Sequence, residues 1–530
     1  MAILWIRSRI KVCDPAEVSR LSLPALIAWS DFEIDICPKT RKDSPLPMLK
    51  KLSLAFTILL LAFSSVSHAQ TLKTLAHQPP GGAFLSFLLT DGTIMCQANV
   101  SSDWWKLTPD IDGSYLNGTW SRLATLPSGY VPDDFASAVL ADGRVVITGG
   151  EYNNGAFTLT NLGAVYDPIA NTWTSLAPPP GWDFIGDSPS VVLPDGRFLV
   201  GRKLDMQMAV LDPATLTWTL LGSTGKSDFN AEEGWTLLPD GTVFTFDVQN
   251  APNSERYFVS TQTWMTAGST IVDLHSPSTF GCLQYGDHGQ FCYFPPGEVG
   301  PGVLRPDGTV FCTGSYSQAG PGHTAIWTPG ATSSDPGTWA VGPDFPNNDD
   351  AGDSFAALLP NGNVLVLGNS GRLYEFNGTT MTPTLSTFGC LLVLPTGEVL
   401  VTGSGAQLYT PSNIAYSKAW APRIKTFPAT VVRGSTYQIT GRQFNGLSQA
   451  ASFGDELETA TNYPLVRIKN KATGHIFYAR THNHSTMAVA TGNARVSTNF
   501  DVPAGTETGA SALQVIADGI PSKPVNITVN

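Results

Sequence analysis

Cysteine is scarce in this chain and carries no pattern. Of 7 cysteines in 530 residues none forms a CxxC pair, and no Cys/His cluster has zinc spacing, which argues against a structural zinc site. Base is in deficit as well: Lys and Arg total 31 against 43 Asp and Glu, for a formal net charge of −12. A surface of that sign repels phosphate backbones, so nucleic acid is not an expected partner. No apolar run reaches the ~20 residues needed to span a bilayer. A GxSxG nucleophile elbow, a glycine-rich phosphate loop and an HExxH helix are also missing, which removes the chemistries those motifs serve. What is plentiful is Gly (51) and Pro (39), the composition of turn-rich β structure.

Two features near the start define the expected mature chain. From Met48 the sequence reads MLKKLSLAFTILLLAFSSVSHAQ, with two lysines, a short apolar run and a small-residue exit at Ser67-His68-Ala69. That is the layout of a secretory signal cleaved after Ala69. We therefore expect residues 48–69 to be a signal peptide and 1–47 to reflect a misassigned translation start outside the fold. The mature protein is then secreted, periplasmic or held at the cell surface, with no transmembrane segment after cleavage. In such an oxidising compartment Cys282 and Cys292, which bound the short stretch GCLQYGDHGQFC, are a disulfide candidate. Two small buried apolar side chains are the other reading.

Self-similarity is the strongest signal in the chain. An apolar run, a tight turn and a second β-rich run recur seven times, from FLLTDGTIMC and AVLADGRVVITGG to ALLPNGNVLVLG and LVLPTGEVLVTG. The turns centre on Asp91, Asp142, Asp195, Asp240, Asp307, Asn361 and Thr396, each followed by Gly. Asp-Gly and Asn-Gly between apolar runs mark hairpins, because both residues accept positive φ. A Thr-Trp marker follows most hairpins, ending at Trp120, Trp173, Trp218, Trp264 and Trp339, with Thr380-Met381 a degenerate sixth. Four strands per unit result, and turn spacings of 35 to 67 residues fit propeller blades with variable loops. The seventh unit has no marker and is one strand short. We expect the segment around Leu72 to Leu75 to supply that strand and close the ring.

The reading is thus an all-β protein, a seven-bladed propeller over 70–420 followed by an immunoglobulin-like β-sandwich over 421–530. The second part rests on regularly spaced short β runs such as TVVRGSTYQITGRQF, LVRIKN and SALQVIADGIPSKPVNITV. It lacks an intersheet disulfide, since no cysteine follows Cys390.

The VVITGG of Val145–Gly150, the TYQITGRQFNGLSQAASFGD run and Thr481-His482 give a kelch-type propeller with an early-set sandwich that resembles the galactose oxidase and glyoxal oxidase family. The resemblance implies secreted copper-radical enzymes, with a cysteine cross-linked to a tyrosine, a second tyrosine and two histidines around copper. It also implies that His482 enters the propeller channel from the sandwich. Read in register from each turn, however, the matching propeller positions hold Asp134 for the cysteine, Asp187 for the cross-linked tyrosine, Asp353 for a histidine and Gly352 for the axial tyrosine. A thioether-tyrosyl radical does not form from aspartates, and copper prefers softer donors than carboxylates.

The same register places acids at one equivalent position, eight residues before the turn, in four blades: Asp134, Asp187, Glu232 and Asp353. Asp133 and Glu233 lie beside them and Glu298 is nine before the fifth turn, while the first and seventh blades carry Ala83 and Phe388. The strand entering each hairpin is nearest the propeller axis, so these acids should converge at one channel mouth. Gathered carboxylates repel one another unless positive charge joins them. Three occupants satisfy that demand: a hard divalent cation such as calcium, an internal Arg or Lys, or a cationic group on a ligand. Acids that only bond to nearby backbone N–H groups are the bland alternative. His482 and His484, two apart on a strand, would share a face, and His482 with Asp187 and Asp353 could form a mixed metal site suited to manganese, iron or zinc. Trp104, Trp105, Trp182 and Trp235 are candidates for sugar stacking or, more commonly, for blade packing.

Two functions remain. The first is a monomeric binding protein for an extracellular glycan or protein, with an acidic mouth that holds a cation. The second is a metal-dependent oxidase of carbohydrate alcohols or aldehydes, as the resemblance implies.

Overall fold

The repeated hairpin owes its shape to one glycine. In the first unit Gly92 N–H donates to the Leu89 carbonyl (2.9 Å) and Leu89 N–H to the Thr93 carbonyl (2.8 Å). This is a tight turn completed by a left-handed bulge residue. All seven turn glycines lie at φ between 75° and 89°. We expected positive φ at both turn residues; glycine alone has it, and none of the residues before it does. The Asp contributes its carboxylate instead, which accepts the backbone N–H two residues on: Asp91 from Thr93 at 3.0 Å, Asp195 from Arg197 at 3.1 Å, and Asn361 likewise from Asn363 at 2.9 Å. Asp and Asn recur there because such side chains stabilise turns locally.

The computed structural model describes residues 69–530 except 277–280, 285–289, 294–296, 316–319, 404 and 454. It also describes two short parallel strands, Arg9–Val12 and Glu33–Ile36, in a separate unit. The expected signal peptide lies outside the described residues. The backbone of a hairpin sets Cys282 opposite Cys292, but their side chains lie outside the described set.

Seven sheets repeat one strand order, with the hairpin strands inside and two further strands outside. Of the entering strands Ser86–Leu88, Ala136–Val139, Ser190–Val192, Thr236–Leu237, Val299–Leu304, Ala356–Leu358 and Cys390–Val393, each from the second blade round to the seventh touches the next, and the seventh touches the first. Their buried apolar side chains stabilise the ring by removing surface from water. The last sheet is completed by Thr71–Thr74, which pairs antiparallel with Ala406–Thr410. An N-terminal strand therefore finishes the C-terminal blade and leaves it no open edge there.

The Thr-Trp markers tie the blades together. Indole N–H groups of Trp173, Trp218 and Trp339 donate to the carbonyls of Ala124, Ala177 and Ala267, each at the outer side of the preceding blade. Trp120 does the same to His77, beyond the closing strand. Trp104, Trp182 and Trp235 are buried and Trp105 half-buried, so the first three are packing residues with no face for a sugar.

Beyond residue 422 the strands form two layers around Ile439, Val466, Ile468, Phe500, Leu513, Val515 and Ile527. Ile476–His482 serves both layers: its first half pairs with Leu465–Asn470 and its last three residues with Val496–Asp501. Between Arg442 and Leu465 the chain leaves the sandwich and enters the propeller. There Ala451–Ser452 pairs with Ala356–Ala357 of the sixth blade. Leu457 N–H donates to Phe135, Gln449 accepts from Leu237 N–H, and Ser137 donates to the Glu458 carbonyl. This segment, the plug, touches the innermost strands of several blades.

Gly308 has no atom within 4 Å of where a Cβ would stand, and its φ is +87°. Gly308→Ala therefore tests the backbone alone: left-handed strain of about 1–2 kcal/mol should lower the thermal unfolding midpoint by a few degrees. An unchanged midpoint would refute the turn assignment.

Candidate functional site: an acid ring at the channel mouth

Three of the register-equivalent acids adopt the same unusual backbone. Asp134, Glu232 and Asp353 lie at φ 50°, 59° and 44°, a region that costs an L-residue roughly 1–2 kcal/mol. In the third blade Gly186, at φ 82°, makes the corresponding bend just before Asp187. The bend turns the chain from each inter-blade loop into its innermost strand and delivers the acid at the axis.

The ring divides into two halves. On one side Lys203, only 2% exposed, pairs with Asp187 and, at 2.6 Å, with Glu232. Burial acts to lower the Lys203 pKa, but Glu232, Asp455 and Glu151 more than reverse it, so the ammonium stays charged. The plug adds acids that the propeller register did not reveal. One oxygen each of Asp187, Asp455 and Glu456 lies within 4.8 Å of the others, and the same holds for Glu232, Asp353 and Asp455. Asp455 is common to both groups. It is 1% exposed, and among the described residues no amide, hydroxyl or ammonium group donates to its oxygens; its hydrogen-bonding neighbours are the carboxyls of Glu232 and Glu456.

A single ammonium does not neutralise this chamber. Burial, reinforced by neighbouring carboxylates, raises Glu232, Glu298 and Glu456, the last two well above the usual range. Burial also raises Glu151, although Lys203 partly offsets it. Asp353, solvent-accessible at the mouth but walled by protein behind, is pushed up to about 6 by burial and Glu232. Asp134 is pushed up to about 8 by burial and then by Asp133, Glu151, Asp455 and Asp353. Asp133, on the short strand Pro132–Asp133, is raised by burial. No lysine, arginine or histidine forms an ion pair with Asp134 or Asp353 among the described residues.

Other candidates lie elsewhere. Glu233 turns away from its neighbour Glu232 into a second buried cluster, where Lys226 reaches it at 2.9 Å and Glu255 at 3.0 Å over the face of Trp264. His482 is not in the channel: its Nε2 lies 3.1 Å from Asp501 on the next strand of the sandwich. The shared face with His484 also fails, because Asn483 takes φ 53° and breaks the alternation. His484 is buried, bonded through Nδ1 to Thr498 at 2.9 Å and stacked on Tyr463. Its pKa is lowered to about 3 by burial and then by His482 and Arg480. A site combining His482 with Asp187 and Asp353 is therefore not assembled.

A copper-radical centre does not fit this donor set. Among the described residues the groups gathered there are carboxylates, the Lys203 ammonium and the Tyr152 phenol, which bonds Glu151. The cysteines of the described blades, Cys96, Cys312 and Cys390, are buried in strands with their thiols pushed up by desolvation, and His482 is engaged by Asp501. We derive no oxidation step. Carboxylate oxygens suit a hard ion such as calcium or an ammonium.

Beside the acids, the mouth opens into a cleft of about 410 Å³ bounded by blades one, six and seven, with Asp134 from blade two. The tip of the plug, Phe453 and Leu457, also lines it.

No protein-family model matches the chain. The kelch-like protein terF of Aspergillus terreus is 31% identical over 88 residues, which is 16% of this chain and 18% of that protein. A fungal alcohol oxidase of the AA5 family, solved in complex with copper, is similar at 14% identity and TM-score 0.48 over 87% of this chain and 98% of its own. Virginiamycin B lyase from Staphylococcus aureus aligns at 11% identity and TM-score 0.41, over 64% and 98%. The extracellular domain of a putative one-component system from B. thetaiotaomicron aligns at 11% and 0.43, over 87% and 58%. The chain thus matches less than a fifth of the kelch-like relative's length, and the seven-bladed description rests on the sheets themselves.

The acid ring has a pH signature. Between the ordinary Asp value of 3.8 and about 8 for Asp134 or about 6 for Asp353, the folded chain keeps a proton that the unfolded chain has lost. Stability therefore falls as pH rises through that window. His484 opposes this below its ordinary 6.5. In chelator, the unfolding midpoint should be higher at pH 6 than at pH 8.5, and Asp134→Asn should reduce the difference by its own share, the rest coming from other raised carboxyls such as Glu233, Asp247 and Asp518. A midpoint that rises with pH would contradict the assignment.

Proposed function

We propose that the protein is an exported binding propeller that holds a positively charged group of an extracellular partner, a glycan or a protein, at the acid-lined mouth of its channel. It acts as a monomer, secreted or at the cell surface, and the leader-like segment 48–69 supports export. One observation carries the binding reading: carboxylates from separate blades and from the plug meet around Asp455, to which no amide, hydroxyl or ammonium group donates among the described residues, while the one buried ammonium, Lys203, ion-pairs only Asp187 and Glu232. A cation arriving there lets the raised carboxyls release their protons, and that linkage favours charged ligands over neutral ones. A divalent ion such as calcium, bound through oxygens alone, is one way to satisfy the site. The alternative, a metal-dependent oxidase of carbohydrate alcohols or aldehydes, needs donors that these positions do not supply.

The test is binding calorimetry at neutral pH with calcium chloride, a lysine-rich peptide, a chitosan oligosaccharide and neutral dextran, beside a peroxide assay. At least one cationic probe should bind. The pair Asp353→Asn with Asp455→Asn should weaken it by about tenfold or more, the size of a lost buried charge contact. Dextran should not bind. Stoichiometric copper with a visible absorption band and peroxide from a primary alcohol would overturn the reading.

A further inference from the structure

The seven register-equivalent positions do not form a uniform ring, and the way they differ describes a ligand. Blades three, four and five contribute Asp187, Glu232 and, one residue off register, Glu298. The first two are ion-paired to Lys203, whose charge Glu298 and, across the ring, Asp353 also feel. Blades six, seven, one and two, consecutive around the axis, contribute Asp353, Phe388, Ala83 and Asp134, and all four line the same cleft of about 410 Å³. This half has two acids without a basic partner among the described residues, set on either side of an apolar stretch. Phe84, Phe355 and Phe453 extend the apolar wall. Phe388 stands at the rim with 72% of its surface exposed.

Each component limits the occupant. A volume of about 410 Å³ falls in the roughly 300–1,000 Å³ range of small-molecule sites. Phenylalanine faces favour an apolar or aromatic body and attract cations through their ring quadrupoles. Two carboxyl groups, neither of them ion-paired to a base among the described residues, favour positive charge and disfavour a carboxylate or phosphate. A bare metal ion uses none of the aromatic wall, and a neutral sugar meets neither carboxyl group's demand for charge.

We propose that this cleft is a binding site for a small organic ammonium ion with an apolar body, anchored by Asp353 and Asp134 and seated against Phe388 and Phe453. The proposal rests on the cationic-ligand reading above and narrows its chemistry. The Lys203 half of the ring is fixed structure, and the cleft half is where an incoming charge is received.

The test uses the full chain and four probes, each titrated by calorimetry at pH 7.5: 2-phenylethylammonium, its neutral isostere 2-phenylethanol, glucosamine and calcium chloride. We expect 2-phenylethylammonium to bind at one site and the alcohol to bind about tenfold more weakly or not at all, as for loss of a desolvated charge contact. Asp353→Asn should remove that preference for charge. Phe388→Ala, at an exposed position that folding does not need, should weaken the ammonium about threefold to tenfold through lost apolar contact. Equal binding of ammonium and alcohol would overturn the proposal. Binding of glucosamine or calcium without 2-phenylethylammonium would also overturn it while leaving the broader cationic reading intact. Failure of these probes and of the lysine-rich peptide and chitosan oligosaccharide would remove both.

Discussion

The organising constraint in this molecule is like charge held at close range. A propeller brings the starts of all its innermost strands to one axis, so a residue type repeated at that position meets itself. Here the repeated type is acidic, and the sandwich adds Asp455 and Glu456 from its plug. Carboxylates at such range are compatible with a folded chain only if they are protonated, paired or given a cation. All three solutions concern this site: raised carboxyls such as Asp134 and Glu298, the Lys203 pair, and the proposed ligand.

That constraint explains why the site lies where the blades meet the excursion of the sandwich. The blades alone set Asp134, Asp187, Glu232 and Asp353 around an open axis. The plug closes the axis through backbone pairing at Ala451–Ser452 and bonds from Leu457 and Gln449. It then places Asp455 between the blade acids and Phe453 under the cleft. A change in how the sandwich seats would therefore move the floor of the cleft and the charge at its edge together.

The propeller was legible because its signals are local and repeated. An Asp-Gly turn needs only its own four residues, and seven copies with one marker short pointed to closure by Thr71–Thr74. The acid register was legible for the same reason. Asp455, Glu456 and Lys203 were not, because they obey no repeat: two arrive on an irregular excursion of the sandwich and the third on a loop after a single blade strand. The acid run Gly-Asp-Glu-Leu-Glu at 454–458, inside an otherwise uncharged stretch, was the one available hint. His482 failed as a channel ligand for a comparable reason. Its pattern Thr-His fits the resemblance, but whether the ring meets the axis or Asp501 depends on the strand register of the sandwich, which spacing alone does not encode.

The most direct test of the account is the carboxyl titration of Asp134 and Asp353, followed by carbon-detected NMR on protein labelled at aspartate, without added cations. The account requires both to titrate well above the ordinary 3.8, Asp134 near 8 and Asp353 near 6. It further requires that a bound cationic probe shift both downward. Two groups titrating near 4, indifferent to such a probe, would show that the mouth carries no unmet negative charge and would contradict the account.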